Sequence, residues 1–272
     1  MLDVSVIVPV RNAERMLDDC LASIVRSQPR EILVVDGMST DRTLDVARRY
    51  PVRILSDEGR GLPAARLLGA EAAVSSRLAL IDADVVLPDG ALARLLDELA
   101  EGGYTGLQAG LDSVSSGPGY WGRALARHHR TGRSKNWFGV VATAVERDAL
   151  LKHGFDESFF SGEDIDLRWR LQRAGARLGV SRRTVVTHRF DDTFRFALGQ
   201  WLADGRGLAR MIGKHGWRAA PLLGLPLAAS LRGIVLSLVR AEPVWVPYYL
   251  CFLVFNYWGL LGELPRGRVR RS

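Results

Sequence analysis

Cysteine is nearly absent. Cys20 and Cys251 are the only two in 272 residues, too far apart for a zinc knuckle and too few for a disulfide framework. A reducing compartment follows as the expectation. Lysine is scarcer still for so basic a chain. Of 37 basic residues only Lys135, Lys152 and Lys214 are lysines, leaving 34 arginines in a net charge of +7. Arginine suits phosphate and anionic lipid because its planar fork bonds in pairs. Most of that excess reads as the codon bias of a GC-rich genome. The arginines are also spread out, with no recognition-helix pattern and no aromatic–basic stacking motif. Nucleic acid is therefore not an expected partner. Internal repeats and low-complexity runs are missing too, which excludes fibrous and disordered classes.

Two further absences concern the first residues. Met1-Leu2-Asp3 has no basic n-region, and Val4–Val10 is too short for the apolar core of a signal peptide. The segment is expected to open the fold as a buried strand. It leads into Pro9-Val10-Arg11-Asn12, which contains no glycine. Neither G-x-G-x-x-G nor a P-loop is present, so a nicotinamide-type dinucleotide fold is a poor fit. A nucleotidyltransferase, which needs a Gly-rich basic loop at this point, ranks low for the same reason.

What is present is alternation. Asp3–Val10, Glu31–Asp36, Val52–Ser56 and Leu78–Ile81 read as strands, and helical spacing runs through Glu14–Ser27, Leu62–Val74 and the stretch from Pro88 to Gly102. A further helix is expected from a Ser39 or Thr40 cap to about Tyr50. Short strands alternating with helices indicate βαβ units and a mainly parallel α/β sheet. Ligands of such sheets sit beyond the carboxyl ends of the strands. Asp36, Asp57, Asp82 and Asp84 all fall at strand ends. Thr105–Val114 and Phe138–Val145 look like later strands, and Ser115–Asn136 is either a helix or a mobile loop, with His128 and His129 read as loop residues. Glu163–Arg173 is a helix, and Arg177–His188 an irregular strand.

The C-terminal part changes character. Ala219–Val239 carries one charge, Arg232, and Pro243–Gly262 carries none, with Trp245, Tyr248, Tyr249, Tyr257 and Trp258 near its ends. About 20 apolar residues suffice to span a bilayer, and Trp and Tyr favour its interfaces. Buried core helices, interfacial or re-entrant helices and a two-span hairpin all satisfy this pattern. Arg266, Arg268, Arg270 and Arg271 then place the tail on the cytoplasmic side. The expected division is a catalytic domain over residues 1–215 and membrane-associated apolar helices with a basic tail over 216–272, the catalytic domain facing the cytoplasm.

Chemistry concentrates in three places. Asp82-Ala83-Asp84 puts two carboxylates near one point after an apolar strand, a pairing that suits Mg²⁺ or Mn²⁺ bridging phosphates. Glu163, Asp164 and Asp166 crowd a helix start, where the dipole stabilises negative charge and a general base is available. His188 ends a β-branched run and becomes a plausible third ligand near a D-x-D metal.

Seven segments in order then resemble a known family: V-I-V-P-V-R-N at Val6–Asn12, V-V-D-G-M-S-T-D-R-T at Val34–Thr43, A-A-R-L-L-G at Ala64–Gly69, L-I-D-A-D at Leu80–Asp84, G-F-D-E-S-F-F at Gly154–Phe160, G-E-D-I-D-L-R-W-R-L at Gly162–Leu171 and V-T-H-R-F at Val186–Phe190. The chain resembles family-2 glycosyltransferases of the GT-A fold, of the membrane-associated bacterial type, over about its first 190 residues. The resemblance implies an inverting, metal-dependent transfer of a sugar from a nucleotide diphosphate sugar to an acceptor hydroxyl, with a lipid-linked acceptor or a cell-surface glycan precursor as the candidates. It further implies that Pro9, Arg11 and Asn12 flank the nucleotide, and that Asp36 bonds its base or ribose with Ser39 near by. By the same resemblance Asp57 lies by the base, Arg66 near the diphosphate and Glu163 beside the donor. Asp82 faces the ribose and the metal, Asp84 and His188 ligate the Mn²⁺ or Mg²⁺, and Asp164 is the base. Leu67 stands where the family often has Asn, and Gln200-Trp201 lacks the Q-x-x-R-W spacing of the processive synthases, so a chain-building synthase is not expected. Arg206 is a further candidate for the diphosphate. A non-catalytic nucleotide-sugar or lipid-binding module is the competing class, although a binder has no need of a base.

Overall fold

The computed structural model describes residues 1–132, 136–159 and 161–264. β1 (Leu2–Val10) is buried continuously from Val4 to Val10, as expected of a strand covered on both faces. Parallel neighbours flank it. β2 (Pro29–Asp36) aligns Asp36 with Val10, and β4 (Arg77–Ile81) aligns Leu80 with Ile7. β3 (Arg53–Ser56) continues the parallel set beyond β2. The remaining strands are β5 (Val85–Val86), β6 (Gly106–Ser115), β7 (Ala142–Glu146) and β8 (Leu178–Phe190). The full order is β3-β2-β1-β4-β7-β6-β8-β5. The β4–β7, β6–β7 and β5–β8 pairs are antiparallel. The sheet is therefore mixed, one half parallel and the other antiparallel, with helices packed against it.

Those helices are α1 (Leu17–Arg26), α2 (Thr43–Ala47), α3 (Leu62–Ala72), α4 (Ala91–Glu101), α6 (Arg147–His153) and α7 (Glu163–Arg173), with α5 (Tyr120–Thr131) between β6 and β7. α1 shows the usual logic. Leu17, Cys20, Leu21 and Ile24 are buried, while Asp18 and Asp19 face water at the positive end of the helix dipole. Two expectations need correction. The helix expected from Ser39 or Thr40 begins only at Thr43 and ends at Ala47. The Ser39 hydroxyl instead accepts from the Asn12 N–H, and the Thr40 hydroxyl donates to the Asn12 side chain, so both hydroxyls are engaged by Asn12 instead. His128 and His129 belong to α5, not to a loop.

The chain forms two compact units. The first comprises residues 1–112, 133–158 and 163–188 and contains most of the sheet. The second comprises 113–132, 159–162 and 189–272, with α5, α8 (Phe194–His215), a 3-10 helix over Gly216–Gly224, α9 (Leu225–Val239), a 3-10 turn over Pro243–Trp245, and α10 (Val246–Glu263). α8 and α10 approach backbone to backbone. A Cβ on Gly205 would overlap the Asn256 carbonyl, and one on Gly259 the Leu202 carbonyl. His128 packs on the Phe252 ring at 4.7 Å. Burial, and then the Arg232 charge, push its pKa down to about 4, so it is a neutral packing residue at physiological pH. The four arginines of the tail lie outside the described residues.

Candidate active site

The parallel half of the sheet delivers its carboxylates to one rim because β2, β3 and β4 all run the same way. Asp36 ends β2, Asp57 follows β3 and Asp82 follows β4. The antiparallel half contributes through register. Val85 of β5 pairs with His188 of β8, so the imidazole arrives beside the residue just before Val85. His188 Nε2 is 3.3 Å from Asp84 Oδ2. Residues 104 positions apart in sequence thus meet through a two-residue strand.

Around Asp82 the carboxylates are tied together by one cation. Arg66 is buried, and its guanidinium donates to Asp82 Oδ1 and to Glu163 Oε1, both at 2.7 Å. Burial opposes the Arg66 charge, but the two carboxylates outweigh it and hold its pKa up. Desolvation pushes the Asp82 carboxyl up against the pull of Arg66. Burial would also discharge His188, yet Asp84 more than compensates and the imidazole pKa is raised. The result is a continuous line, Glu163–Arg66–Asp82, with the Asp84–His188 pair alongside.

Asp164 sits next to that line at the start of α7. Its Oδ1 accepts from the Ile165 N–H at 2.8 Å. Desolvation, and then the neighbouring Glu163, lift its pKa to about 6, against Arg66 and Arg168. Gly139 leaves it room: a Cβ there would stand 3.1 Å from Asp164 Oδ2 and 2.8 Å from Gln108 Oε1. Gln108 in turn accepts from the Gly139 N–H at 2.9 Å. Neither Gly139 nor Gln108 was singled out from the sequence, where a lone glycine beside an aromatic residue carries no signal.

A second group gathers where β1 and β2 end. The Ser39 N–H donates to both Asp36 oxygens at 3.2 Å, and the Asn12 side chain holds the Thr40 N–H at 2.8 Å. Pro9 is buried within β1 and Arg11 is exposed beyond it. Asp57 is buried, its carboxylate accepting from the Gly59 and Gly61 N–H groups at 2.8 and 3.0 Å. Arg206 lies on α8, in the second unit.

Three partners of a divalent cation were expected. Among the described residues no three His, Cys, Asp or Glu side chains form a ready-made cage. Asp84 and His188 nevertheless fit such an ion. Asp84 Oδ1 is buried with no hydrogen-bond partner among the described residues, and carboxylate plus imidazole suit Mn²⁺ well and Mg²⁺ through the oxygen.

Residues 5–160 match the family described as Glycosyl transferase family 2. The chain belongs to that family. It is 29% identical over 257 residues to the succinoglycan biosynthesis protein ExoA of Rhizobium meliloti, covering 85% of this chain and 77% of that protein. It is also 29% identical over 240 residues to a pre-mycofactocin glycosyltransferase of Mycobacterium tuberculosis, covering 81% of this chain and 50% of that one. The chain thus spans only half the length of the second relative. Among solved structures, a mannosyltransferase from Pyrobaculum calidifontis in complex with GDP-Man and Mn²⁺ superposes with a TM-score of 0.67 at 20% identity, covering 95% of this chain and 87% of that one. S. aureus TarS in complex with UDP gives 0.56 at 17% identity, covering 99% and 93%. These likenesses establish the GT-A fold, with apolar helices at the C-terminal end.

Proposed function

We propose that this family-2 glycosyltransferase moves a sugar, with inversion, from a nucleoside diphosphate sugar to an acceptor hydroxyl. The observation that carries the reading is Asp164, one carboxyl lifted to about 6 beside a fixed line of charge. A base works best with a pKa near the working pH. Inversion needs one base facing the departing group, and one such carboxylate is available. Asp164 takes the acceptor proton, and Glu163 and Arg66 hold the start of α7 in place for it. Asp36, Ser39 and Asn12, with Arg11 and Pro9 beside them, form the nucleoside end of the donor site, and Asp57 lies next to it. Asp82 faces the ribose, steadied by Arg66.

Asp84 and His188 would hold the Mn²⁺ or Mg²⁺. When bound, such an ion offsets the negative charge that grows on a departing nucleoside diphosphate. The complexes of GT-A neighbours with GDP-Man, UDP and Mn²⁺ support donor class and ion alike.

The second unit supports membrane association. On α9, Leu227, Leu231, Val235 and Leu238 are exposed, while Ser230, Gly233 and Ser237 are buried. On α10, Leu250, Val254, Trp258 and Leu261 form a second exposed stripe. Small residues inside and large apolar ones outside is the pattern of helices packed in lipid. Two stretches, Phe194–Val239 and Pro243–Glu263, are long and apolar enough to cross a bilayer, and only 28% and 33% of their most apolar windows are buried. Residues 216–272 are accordingly assigned to the cytoplasmic face of the cell membrane, with residues 1–215 as the cytoplasmic catalytic part and a lipid-linked molecule as the acceptor.

Thermal shift against a panel of nucleotide sugars with Mn²⁺ tests the donor class, since a ligand that binds the native state raises the melting temperature. Asp84→Ala is expected to abolish the Mn²⁺-dependent part of that shift together with transfer. An unchanged shift in Asp84→Ala removes it from the ion site, and release of pyrophosphate instead of a nucleoside diphosphate refutes the reaction.

A further inference from the structure

One cavity in the first unit lies outside the donor site. It measures about 330 Å³, opens to solvent, and is lined by Trp137, Phe138, Arg168, Trp169 and Gln172, with Asn136 and β8 at Leu178–Val180 completing the lining. That volume is at the small end of ligand pockets, room for a single ring or charged group. Arg168 lies four residues beyond Asp164 on α7. Side chains four apart share a helix face, about 5–6 Å apart along the axis. The guanidinium carbon lies over the Trp137 ring, 5.1 Å from its centroid. The guanidinium makes no hydrogen bond or close ion pair among the described residues, and its charge is felt by Asp164 only at longer range. A cation–π contact uses no N–H group, so the donors of the fork are left for a planar or tetrahedral anion. Half-burial disfavours the Arg168 charge, and Asp164 offsets that only in part, so the cation is held at a cost that a bound anion would relieve. Asn136 and Gln172 supply neutral polar groups at the rim.

We propose that this cavity is an acceptor subsite for a negatively charged sugar, with Arg168 gripping a carboxylate or phosphate about one helical turn from the attacked hydroxyl. The inference rests on Asp164 being the base that faces the acceptor. It narrows the acceptor to an acidic one: a uronate offers the carboxylate, and a sugar phosphate offers the phosphate. A purely structural Arg168 would serve only as counter-charge to Asp164 and would show no preference among acceptors.

The test is calorimetric and uses the full chain. Methyl β-D-glucuronide, glucose 6-phosphate and methyl β-D-glucoside are titrated separately into wild type, Arg168→Gln and Arg168→Lys, and a nucleoside diphosphate with Mn²⁺ into each as a control. One charged sugar at least should bind tenfold or more tighter than the neutral glucoside. Arg168→Gln should weaken that sugar about 10- to 100-fold and leave the glucoside unchanged, with Arg168→Lys between. The tighter of the two charged sugars identifies the anion. Equal binding of charged and neutral sugars, equal weakening of all three in Arg168→Gln, or no binding of either charged sugar overturns the proposal. If those negatives occur while the nucleoside diphosphate binds, the subsite alone fails. If the nucleoside diphosphate does not bind while Arg168-dependent sugar binding persists, the transfer reading fails and takes the acceptor role with it, while the anion grip of Arg168 stands.

Discussion

The two units solve the burial problem in opposite ways. In the first, α1 turns Leu17, Leu21 and Ile24 inward and its acids outward, and strands bury β-branched runs. In the second, α9 turns Ser230, Gly233 and Ser237 inward and Leu231, Val235 and Leu238 outward. Apolar area gains by leaving water, whichever way it must point. The first unit hides its large apolar side chains, and the second leaves many of its own exposed along α9 and α10. Charge follows the same division. The first unit gathers carboxylates at a rim and binds them with a buried arginine, an arrangement that is stable only when each charge has its partner.

The strongest way to break the comparison is at the base. Asp164→Asn should lower transfer by a factor of about 10²–10⁴ with nucleotide binding nearly intact, measured by steady-state kinetics beside a nucleotide titration. Retained turnover would move the base elsewhere. The same variant should be more heat-stable at pH 7.5. The folded pKa of about 6 lies above that of an ordinary aspartate, so ionised Asp164 opposes folding above pH 6. That opposition fades as pH falls through 6 and is gone below the unfolded value.

Next is Arg66. Arg66→Ala leaves Asp82 and Glu163 without their shared cation and should destabilise the first unit by about 3–5 kcal/mol, read as a fall in denaturation midpoint. Arg66→Lys, which cannot fork to both, should lose part of this. A variant as stable as wild type would show that the line of charge is not structural.

A smaller effect is the pH profile. Only the ionised Asp164 accepts a proton, so transfer should fall about tenfold per unit below pH 6 and level off above it. A profile flat from pH 5 to 8 contradicts the assignment. Smallest is a test of the inverted faces. Leu231→Ser combined with Val254→Ser should reduce partition into anionic lipid vesicles by roughly tenfold or more, from the apolar burial lost, without changing nucleotide binding. Unchanged partition would leave the exposed stripes unexplained by lipid.

Much of this was legible in the sequence because it is local. Carboxylates at strand ends, the D-x-D pair and the acidic start of α7 each lie within a few residues of the element that positions them. What Arg66 bonds to was not legible, since Glu163 is 97 residues away. Asp57 was recognised as a strand-end carboxylate, but its two bonds to Gly59 and Gly61 depend on a loop shape that composition does not reveal. The helix α2 was expected, but too long, because Ser39 and Thr40 carry cap chemistry yet find Asn12 first. The antiparallel half of the sheet was hidden because period-2 patterning is blind to strand direction. Arg168 went unnoticed within a motif whose acids drew the attention, and only the Trp137 ring beneath it sets it apart.

The pairing of Val85 with His188 carries a constraint on how this protein can vary. Alternate residues of a strand face opposite sides, so a shift of one position turns every side chain over. Loops distant from the rim can lengthen or shorten freely, but β8 has a fixed count: losing a single residue between Ser181 and Thr187 would swing the imidazole to the far side and bring Arg189 to its register position beside Asp84 instead.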